Sequence, residues 1–232
     1  MEIGEVDLNY VLQQQAKLHD RKKSSNNNHS ENRFSFNMNF VRLTWQQMLS
    51  AVYSIHTEHG IVHGDLKPAN FLFVKGALKL IDFGIAKAIP TDENTTNIYR
   101  DSQVGTLNYM SPEAIMGTTT SGGGGGMKMK LGRASDIWSL GCILYQMVYG
   151  KTPFADLHML QKMHAIIDPA HKISYPDGAD EAAVDAMQLC LRRKPEERPP
   201  IVGKNGLLNE HWFLHSSRRQ QMKVGIPVDS EQ

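Results

Sequence analysis

The spacing of apolar residues in the first third of the chain predicts one long amphipathic helix. Over residues 40–59, apolar side chains recur every three or four positions, as one buried face of an α-helix requires. Thr44 or a neighbouring residue is expected to cap its start, and Gly60 stands where a C-terminal cap belongs. The polar stretch 13–39 is interpreted as a solvated insertion between two helices.

The pattern then changes to two short β-type runs, at 71–74 and 78–81, and the glycine turn between them predicts a β-hairpin. Helical patterns return later in the chain, at 135–149, 156–167 and 180–193. Together these elements predict an α+β fold that is mostly α-helical.

Three segments lack a sustained period. A long irregular stretch such as 84–112, within a domain, is usually functional or disordered. The glycine-rich loop 118–130 is interpreted as a flexible surface loop, because Met127 stands where a phosphate-binding P-loop has lysine. The polar tail 216–232 is also expected to be flexible.

Composition and charge exclude several classes of protein. The chain has 232 residues, is 41% hydrophobic, and has 25 basic and 24 acidic residues, so no global field attracts nucleic acid or a membrane surface. The most apolar stretch, 137–149, is shorter than the roughly 20 residues that a membrane span needs. The start of the chain lacks the apolar core of a signal peptide. Cys142 and Cys190 alone cannot form a disulfide framework or a cysteine-based zinc site, and fit a reducing compartment.

The loop at 63–70, His-Gly-Asp-Leu-Lys-Pro-Ala-Asn, concentrates residues that can do chemistry. Asp65 is a carboxylate directly after His63, a histidine expected to be buried. Lys67, two positions later, adds a fixed positive charge to the same loop. A carboxylate base beside a cation is part of what phosphoryl transfer requires.

Two candidate metal ligands lie at the ends of the predicted hairpin. Asn70 offers an amide oxygen at its beginning, and Asp82 offers a carboxylate at its far end. Because the hairpin folds the chain back, these side chains can face one another. Oxygen ligands with open positions suit Mg²⁺, which keeps waters and binds together with substrate phosphates.

This ordered set resembles the catalytic loop and the Asp-Phe-Gly motif (82–84) of protein kinases. The resemblance implies that Asp65 orients the substrate hydroxyl and accepts its proton, and that Lys67 neutralises the transferring phosphoryl group. It also implies that Asn70 and Asp82 hold Mg²⁺, with ATP as the phosphate donor.

An alternative is that the His-Gly-Asp sequence belongs to a small-molecule phosphotransferase, such as the kinases of aminoglycosides or choline. Three features disfavour it. Lys67-Pro68 is typical of protein serine/threonine kinases, 105–113 resembles their peptide-positioning loop with Ser111 in place of alanine, and 136–141 resembles the buried helix that anchors their catalytic loop. The same resemblance implies structural roles for His63, Glu113, Asp136 and Arg198. Glu113 is expected to pair with Arg198, and Asp136 to accept hydrogen bonds from the backbone of the loop that contains His63.

A closer similarity is to the monopolar spindle kinases, which are dual-specificity kinases of the spindle assembly checkpoint. It rests on 79–86, 101–106, 149–154 and 164–169, and the last two blocks are the specific ones. The similarity implies mitotic signalling and chromosome segregation, protein substrates, possible kinetochore partners, and a place in the nucleus, at the kinetochore and in the cytoplasm.

The similarity also assigns the nucleotide site, within a kinase domain spanning 1–215. The first four residues resemble the hinge of a kinase. Backbone groups of Glu2 and Ile3 are then expected to contact adenine, Asp7 to approach the ribose, and Leu72 to form the floor of the base pocket.

Four hydroxyl residues are candidate phosphorylation sites in the stretch that resembles an activation segment: Thr95, Thr96, Ser102 and Thr106. A phosphate there adds roughly −1.5 to −2 of charge and can order the segment. Thr95 and Thr96 match the autophosphorylated pair of the family, whereas Thr106 is expected to hydrogen-bond the catalytic loop.

The resemblance covers the large lobe of a kinase and not the small one. This sequence contains no Gly-x-Gly-x-x-Gly before residue 63 and no strand lysine or partner glutamate to hold the phosphates of ATP. Positioning supplies most of the catalysis in this reaction. We therefore expect the chain alone to transfer phosphate poorly, and a non-catalytic kinase lobe that acts as a binding or regulatory module is the main alternative function.

Overall fold

The computed structural model describes residues 6–25, 34, 36–82, 87–88, 95–99, 104–119 and 128–208. Its α-helices are α1 (Leu8–Ser25), α2 (Met38–Thr57), α3 (Pro112–Thr119), α4 (Arg133–Tyr149), α5 (Met159–Ile167) and α6 (Glu181–Cys190). Its strands are β1 (Val6–Asp7), β2 (Ile61–Val62), β3 (Phe71–Val74), β4 (Ala77–Leu80), β5 (Lys87–Ala88), β6 (Thr95–Tyr99) and β7 (Lys128–Gly132). Short 3₁₀ helices lie at Pro68–Asn70, Val104–Tyr109 and Pro195–Glu197. The prediction of a mostly helical fold with few strands is confirmed.

Helix α4 forms the centre of the hydrophobic core. Thirteen of its 17 residues are buried, since it is apolar on every side. It packs against α2 and α6. A Cβ on Gly141 would lie 2.6 Å from the Cβ of Cys190, so only glycine allows α4 and α6 to approach this closely. No helix in the described ranges is long and apolar enough to cross a bilayer.

Helix α2 confirms the long amphipathic helix, but the predicted cap at Thr44 is wrong. The N-cap is Asn37, whose side-chain oxygen accepts a hydrogen bond of 2.9 Å from the backbone N–H of Asn39. Thr44 is only 2% exposed and lies inside the helix, because the apolar period extends one turn earlier than residue 44. Gly60 follows the helix with φ of +61°, as expected of a residue that reverses the chain there.

The predicted insertion at 13–39 is wrong over its first half, because α1 continues through residue 25. Leu8 and Leu12 bury the start of this helix. Beyond them the sequence is polar but rich in glutamine, lysine and arginine, which are good helix formers. Helix propensity therefore extends the element where the hydrophobic pattern no longer indicates it.

The predicted hairpin is confirmed and gains a third strand. β3 and β4 pair antiparallel with Phe71 opposite Leu80, and the turn residues Lys75 and Gly76 both have positive φ, as a type I′ turn requires. β1 adds to the other edge of β3 and places Asp7 opposite Leu72. A strand as short as β1 leaves no period-2 pattern in the sequence.

The stretch predicted to be irregular, 84–112, contains short paired elements. β5 pairs with β2, and β6 pairs with β7 in a second antiparallel ribbon. In both pairs the two strands lie far apart in the sequence, so no local turn sequence predicts the pairing. The three later helices are confirmed with shifted bounds: α4 begins at Arg133, α5 at Met159, and α6 ends at Cys190.

Candidate active site

The loop between β2 and β3 carries the predicted catalytic pair. The Nζ of Lys67 lies 3.0 Å from Oδ2 of Asp65. Both side chains are partly exposed, Asp65 by 18% and Lys67 by 28%, so they are open to a ligand yet fixed by each other. A partly exposed carboxylate at a fixed position on a loop can accept a proton from a bound hydroxyl group.

Asp136, in the first turn of α4, fixes this loop through hydrogen bonds to its backbone. Its side chain is fully buried and accepts hydrogen bonds from the backbone N–H of His63 at 2.9 Å and of Gly64 at 2.8 Å. Gly64 has φ of +74°, a left-handed conformation that lets both N–H groups converge on one carboxylate. The start of a helix also stabilises a negative charge. The structure thus places Asp136 as the resemblance implies.

His56 near the end of α2 completes this anchor, and sequence reasoning missed it. Its Nε2 lies 2.7 Å from Oδ2 of Asp136, and the residue is 5% exposed. Arg133 in turn donates a hydrogen bond of 2.8 Å to the backbone oxygen of His56. A histidine on the apolar face of the helix, shortly before the catalytic loop, is the signal that could have indicated it.

The predicted metal ligands lie on neighbouring backbone segments. Asn70 is 2% exposed, and its Oδ1 accepts a hydrogen bond of 3.0 Å from the backbone N–H of Lys67. The backbone N–H of Ile81 donates to the backbone oxygen of Asn70 at 2.8 Å, which brings Asp82 beside it. Asp82 is exposed and has φ of +63°, an unusual conformation for a non-glycine residue and typical of functional sites.

This donor set fits Mg²⁺. An amide oxygen with a second lone pair and one exposed carboxylate suit a hard cation that takes its other ligands from phosphates and water. Among the described residues no cluster of three or more histidine, cysteine, aspartate or glutamate side chains could hold a metal ion without such additional ligands.

Glu113 and Arg198 form the ion pair that the resemblance implies. The guanidinium group donates to both carboxylate oxygens, at 2.7 and 2.8 Å, and Ser135 Oγ donates to Oε1 at 2.7 Å. Burial raises the pKa of the Glu113 carboxyl group, but the hydrogen bonds and charge of Arg198 outweigh it and hold this pKa below 4.5. This pair ties the start of α3 to the segment that follows α6.

Three side chains fix the segment 107–109, and sequence reasoning missed all three contacts. Gln146 Oε1 accepts from the hydroxyl group of Tyr109 at 2.7 Å, and Ser139 Oγ donates to the backbone oxygen of Tyr109 at 2.8 Å. Lys162 on α5 donates to Oδ1 of Asn108 at 2.5 Å. The segment that resembles a peptide-positioning loop is thus bound to α4 and α5.

The residues predicted to bind nucleotide are partly brought together. Pairing of β1 with β3 places Asp7 directly opposite Leu72, which is half-buried. The Asp7 carboxylate accepts a hydrogen bond of 2.7 Å from the backbone N–H of Tyr10 and so caps α1. Glu2 and Ile3 lie outside the described residues.

Comparison with known proteins identifies the family to which this chain belongs. Residues 10–213 match the family described as the protein kinase domain. The chain belongs to the protein kinase family. The resemblance to protein kinases is therefore confirmed.

The kinase domain is similar to kinases named Mps1 and TTK. Over 215 residues it is 53% identical to the "Probable serine/threonine-protein kinase mps1" of Dictyostelium discoideum. This alignment covers 92% of this chain and 20% of that protein. It is 47% identical over 202 residues to the "Dual specificity protein kinase TTK" of Mus musculus, covering 87% and 21%. It is 41% identical over 208 residues to the "Serine/threonine-protein kinase MPS1" of Saccharomyces cerevisiae, covering 85% and 25%. The chain spans about a fifth to a quarter of the length of these relatives.

The structure gives the backbone positions of the candidate phosphorylation sites Thr95, Thr96 and Thr106. Thr95 and Thr96 lie on β6, opposite Gly132 and Leu131 of β7, and this ribbon leads directly into α4. Thr106 lies within the 3₁₀ helix Val104–Tyr109. Ser102 lies outside the described residues.

Proposed function

We propose that this chain is the large, catalytic-loop-bearing lobe of a protein serine/threonine kinase, which transfers the γ-phosphoryl group of ATP to hydroxyl groups of proteins. The observation that carries the proposal is the Asp65–Lys67 pair, held 3.0 Å apart on a loop that Asp136 fixes through two backbone hydrogen bonds. A base and a cation fixed in this way supply the positioning on which phosphoryl transfer depends.

Each residue of the pair has its own role in the proposed reaction. Asp65 accepts a hydrogen bond from the substrate hydroxyl group, orients its oxygen toward the phosphorus atom and takes up its proton. Lys67 places positive charge beside the transferring phosphoryl group. Asn70 and Asp82 hold Mg²⁺, which neutralises charge on the phosphates when it is bound.

The nucleotide site of the proposed lobe is formed by β1 and β3. Asp7 and Leu72 lie side by side there, so a ribose hydroxyl and the adenine base would meet neighbouring residues. In the proposed site the backbone groups of Glu2 and Ile3 complete the contacts with adenine. Phosphorylation of Thr95, Thr96 and Ser102 regulates the activity, and Thr106 hydrogen-bonds the catalytic loop.

The kinase we propose is of the spindle checkpoint type, with dual specificity as the name of its mouse relative states. Identities of 41–53% to proteins named Mps1 or TTK support this assignment. Its substrates are then proteins of the mitotic machinery, with kinetochore proteins as partners, and its place is the nucleus, the kinetochore and the cytoplasm.

Replacing the proposed base tests the function directly. Asp65→Asn in the intact protein, in the length that the cell makes, should lower phosphate transfer to a protein substrate by about 10²–10⁴-fold, the usual contribution of general-base catalysis. The melting temperature should hardly change, since the substitution keeps the shape of the side chain. Asp185→Asn, which alters an exposed carboxylate on α6, is the matched control. Transfer by Asp65→Asn at the wild-type rate would refute the role of Asp65.

If the wild-type protein transfers no phosphate while it still binds partner proteins, the non-catalytic binding or regulatory module becomes the better account.

A further inference from the structure

A cavity of about 380 Å³ lies between the end of α2, the start of α4 and the segment 199–202. Its walls are mostly apolar and include Ile137, Ile201 and two successive prolines. A volume of this size, at the small end of the roughly 300–1,000 Å³ of ligand pockets, is enough for a small molecule. Neither Asp65 nor Lys67 is among the described residues that line it, so the cavity is separate from the candidate active site.

Arg133 brings a positive charge without a counter-charge to this cavity. It is exposed, lines the cavity and donates one hydrogen bond of 2.8 Å, to the backbone oxygen of His56. Across the ranges that the structure describes, no carboxylate lies within ion-pair distance of its guanidinium group. The other arginine of the lining, Arg198, is paired with Glu113. A guanidinium group has five N–H donors, so Arg133 can still bind a carboxylate through two of them.

The apolar surface in this region is confined to the cavity. Of the large aliphatic and aromatic residues in its described lining, Val202 alone is exposed, and only by 37%. A protein partner needs a wide contact of about 800 Å² on each side, built around apolar anchors. A small molecule is instead enclosed by a concave apolar surface with a few polar groups. The cavity therefore suits a small ligand better than a protein segment.

We propose that this cavity binds a small carboxylic acid with an apolar body. The carboxylate pairs with the guanidinium group of Arg133, and the apolar body packs against Ile137, Ile201 and Val202, which removes their surface from water. His56, whose ring holds Asp136, forms part of the same wall, so the ligand lies next to the anchor of the loop at 63–70. The site goes beyond the proposed kinase function and does not depend on it.

Three probes separate the charge of the ligand from its apolar body: octanoate has both, 1-octanol has the body alone, and acetate has the charge alone. Their binding to the intact protein is measured by isothermal titration calorimetry. Arg133→Met removes the cation and Arg133→Lys keeps it, while Ala134→Leu fills the cavity from α4. The matched controls are Arg192→Met and Ala170→Leu, at exposed positions outside the described lining.

The wild-type protein should bind octanoate about three- to tenfold more tightly than 1-octanol, as a charge-assisted hydrogen bond allows, and at least about tenfold more tightly than acetate. Arg133→Met should bring the affinity for octanoate down to that for 1-octanol and leave the affinity for 1-octanol unchanged. Arg133→Lys should keep a preference for octanoate. Ala134→Leu should weaken both octanoate and 1-octanol by about tenfold or more, because less apolar surface can be buried. Both controls should bind as the wild type does.

Three results would overturn the proposed site. Equal affinities of the wild-type protein for octanoate and 1-octanol, or a preference that Arg133→Met leaves unchanged, would show that Arg133 does not bind the carboxylate. Octanoate binding that Ala134→Leu leaves unchanged would place the ligand outside the cavity. If the wild-type protein binds neither octanoate nor 1-octanol, the cavity is not a small-ligand site and a protein segment becomes the better occupant. Binding is measured without phosphate transfer, so its failure is distinguishable from a failure of the proposed function.

Discussion

Arg198 and Glu113 lie 85 positions apart in the sequence and meet in a two-pronged ion pair, with the Arg198 side chain fully buried. The guanidinium group also donates to the backbone oxygens of Ala134, Arg192 and Arg193. A planar group with several fixed donors can make all these contacts at once, and lysine cannot. The pair therefore joins α3, α4 and the segment after α6.

Removing one partner of this pair should strongly destabilise the domain. Arg198→Met leaves Glu113 as a mostly buried charge without a counter-charge, and the expected loss in the free energy of unfolding is about 3–5 kcal/mol. Urea unfolding of the intact protein measures it. Arg192→Met, at an exposed position nearby, is the control and should cost less than about 1 kcal/mol. An equal effect of the two substitutions would contradict the structural role of the pair.

The same pair should make stability depend on pH in the acid range. The pKa of Glu113 is lower in the folded protein than its usual value of 4.5, so its contribution to stability is complete above that value. It is lost as the pH falls through the folded pKa, because the native state must then take up a proton. Unfolding measured between about pH 6 and pH 3 should show this loss, and Glu113→Gln should flatten it. An unchanged slope in the variant would mean that other carboxylates dominate.

Gly64 should be intolerant of any side chain. Its φ of +74° strains an alanine, so Gly64→Ala should cost about 1–2 kcal/mol in stability and pull the loop away from Asp136. Phosphate transfer should fall about tenfold or more, because small displacements of catalytic groups are costly. Gly178→Ala, at φ of +83°, carries the same strain elsewhere and should leave the transfer rate unchanged. If both variants retain the wild-type rate, the loop does not depend on this conformation.

Asp82 should determine the concentration of Mg²⁺ that phosphate transfer requires. Asp82→Asn removes the charge of the proposed ligand but keeps its shape, so half-maximal transfer should require about tenfold more Mg²⁺. Asp177→Asn, at an exposed position in the loop before α6, is the control. Titration of activity with Mg²⁺ at constant free ATP measures the effect. The same magnesium dependence in wild type and Asp82→Asn would exclude Asp82 as a ligand.

The sequence was sufficient for the parts of the site that are local. Asp65, Lys67 and Asn70 lie within a few positions of one another, so the sequence alone places them on one loop, and the resemblance to protein kinases implies their roles. Helices α2 and α4 were also predictable, because their apolar residues are regularly spaced or continuous over many positions, whereas the polar second half of α1 was not. The hairpin was predictable because its glycine turn is a local signal.

The parts that the sequence did not indicate depend on long-range contacts. The pairing of β1 with β3 and of β6 with β7, the hydrogen bond from His56 to Asp136, and the contact between Lys162 and Asn108 all join distant segments. None of them has a periodic or turn signal. Caps such as Asn37 were mispredicted because several polar residues near a helix start can serve, and only packing selects among them.

Identifying the acceptor of the phosphate tests the proposed function most directly. The intact protein is incubated with ATP and Mg²⁺ in the presence of protein substrates, and separately with aminoglycosides or choline, and the products are identified by mass spectrometry. We expect phosphate on serine and threonine residues of proteins, lost in Asp65→Asn, and none on the small molecules. Phosphate on a small molecule, or transfer to protein that Asp65→Asn leaves intact, would contradict the proposed function.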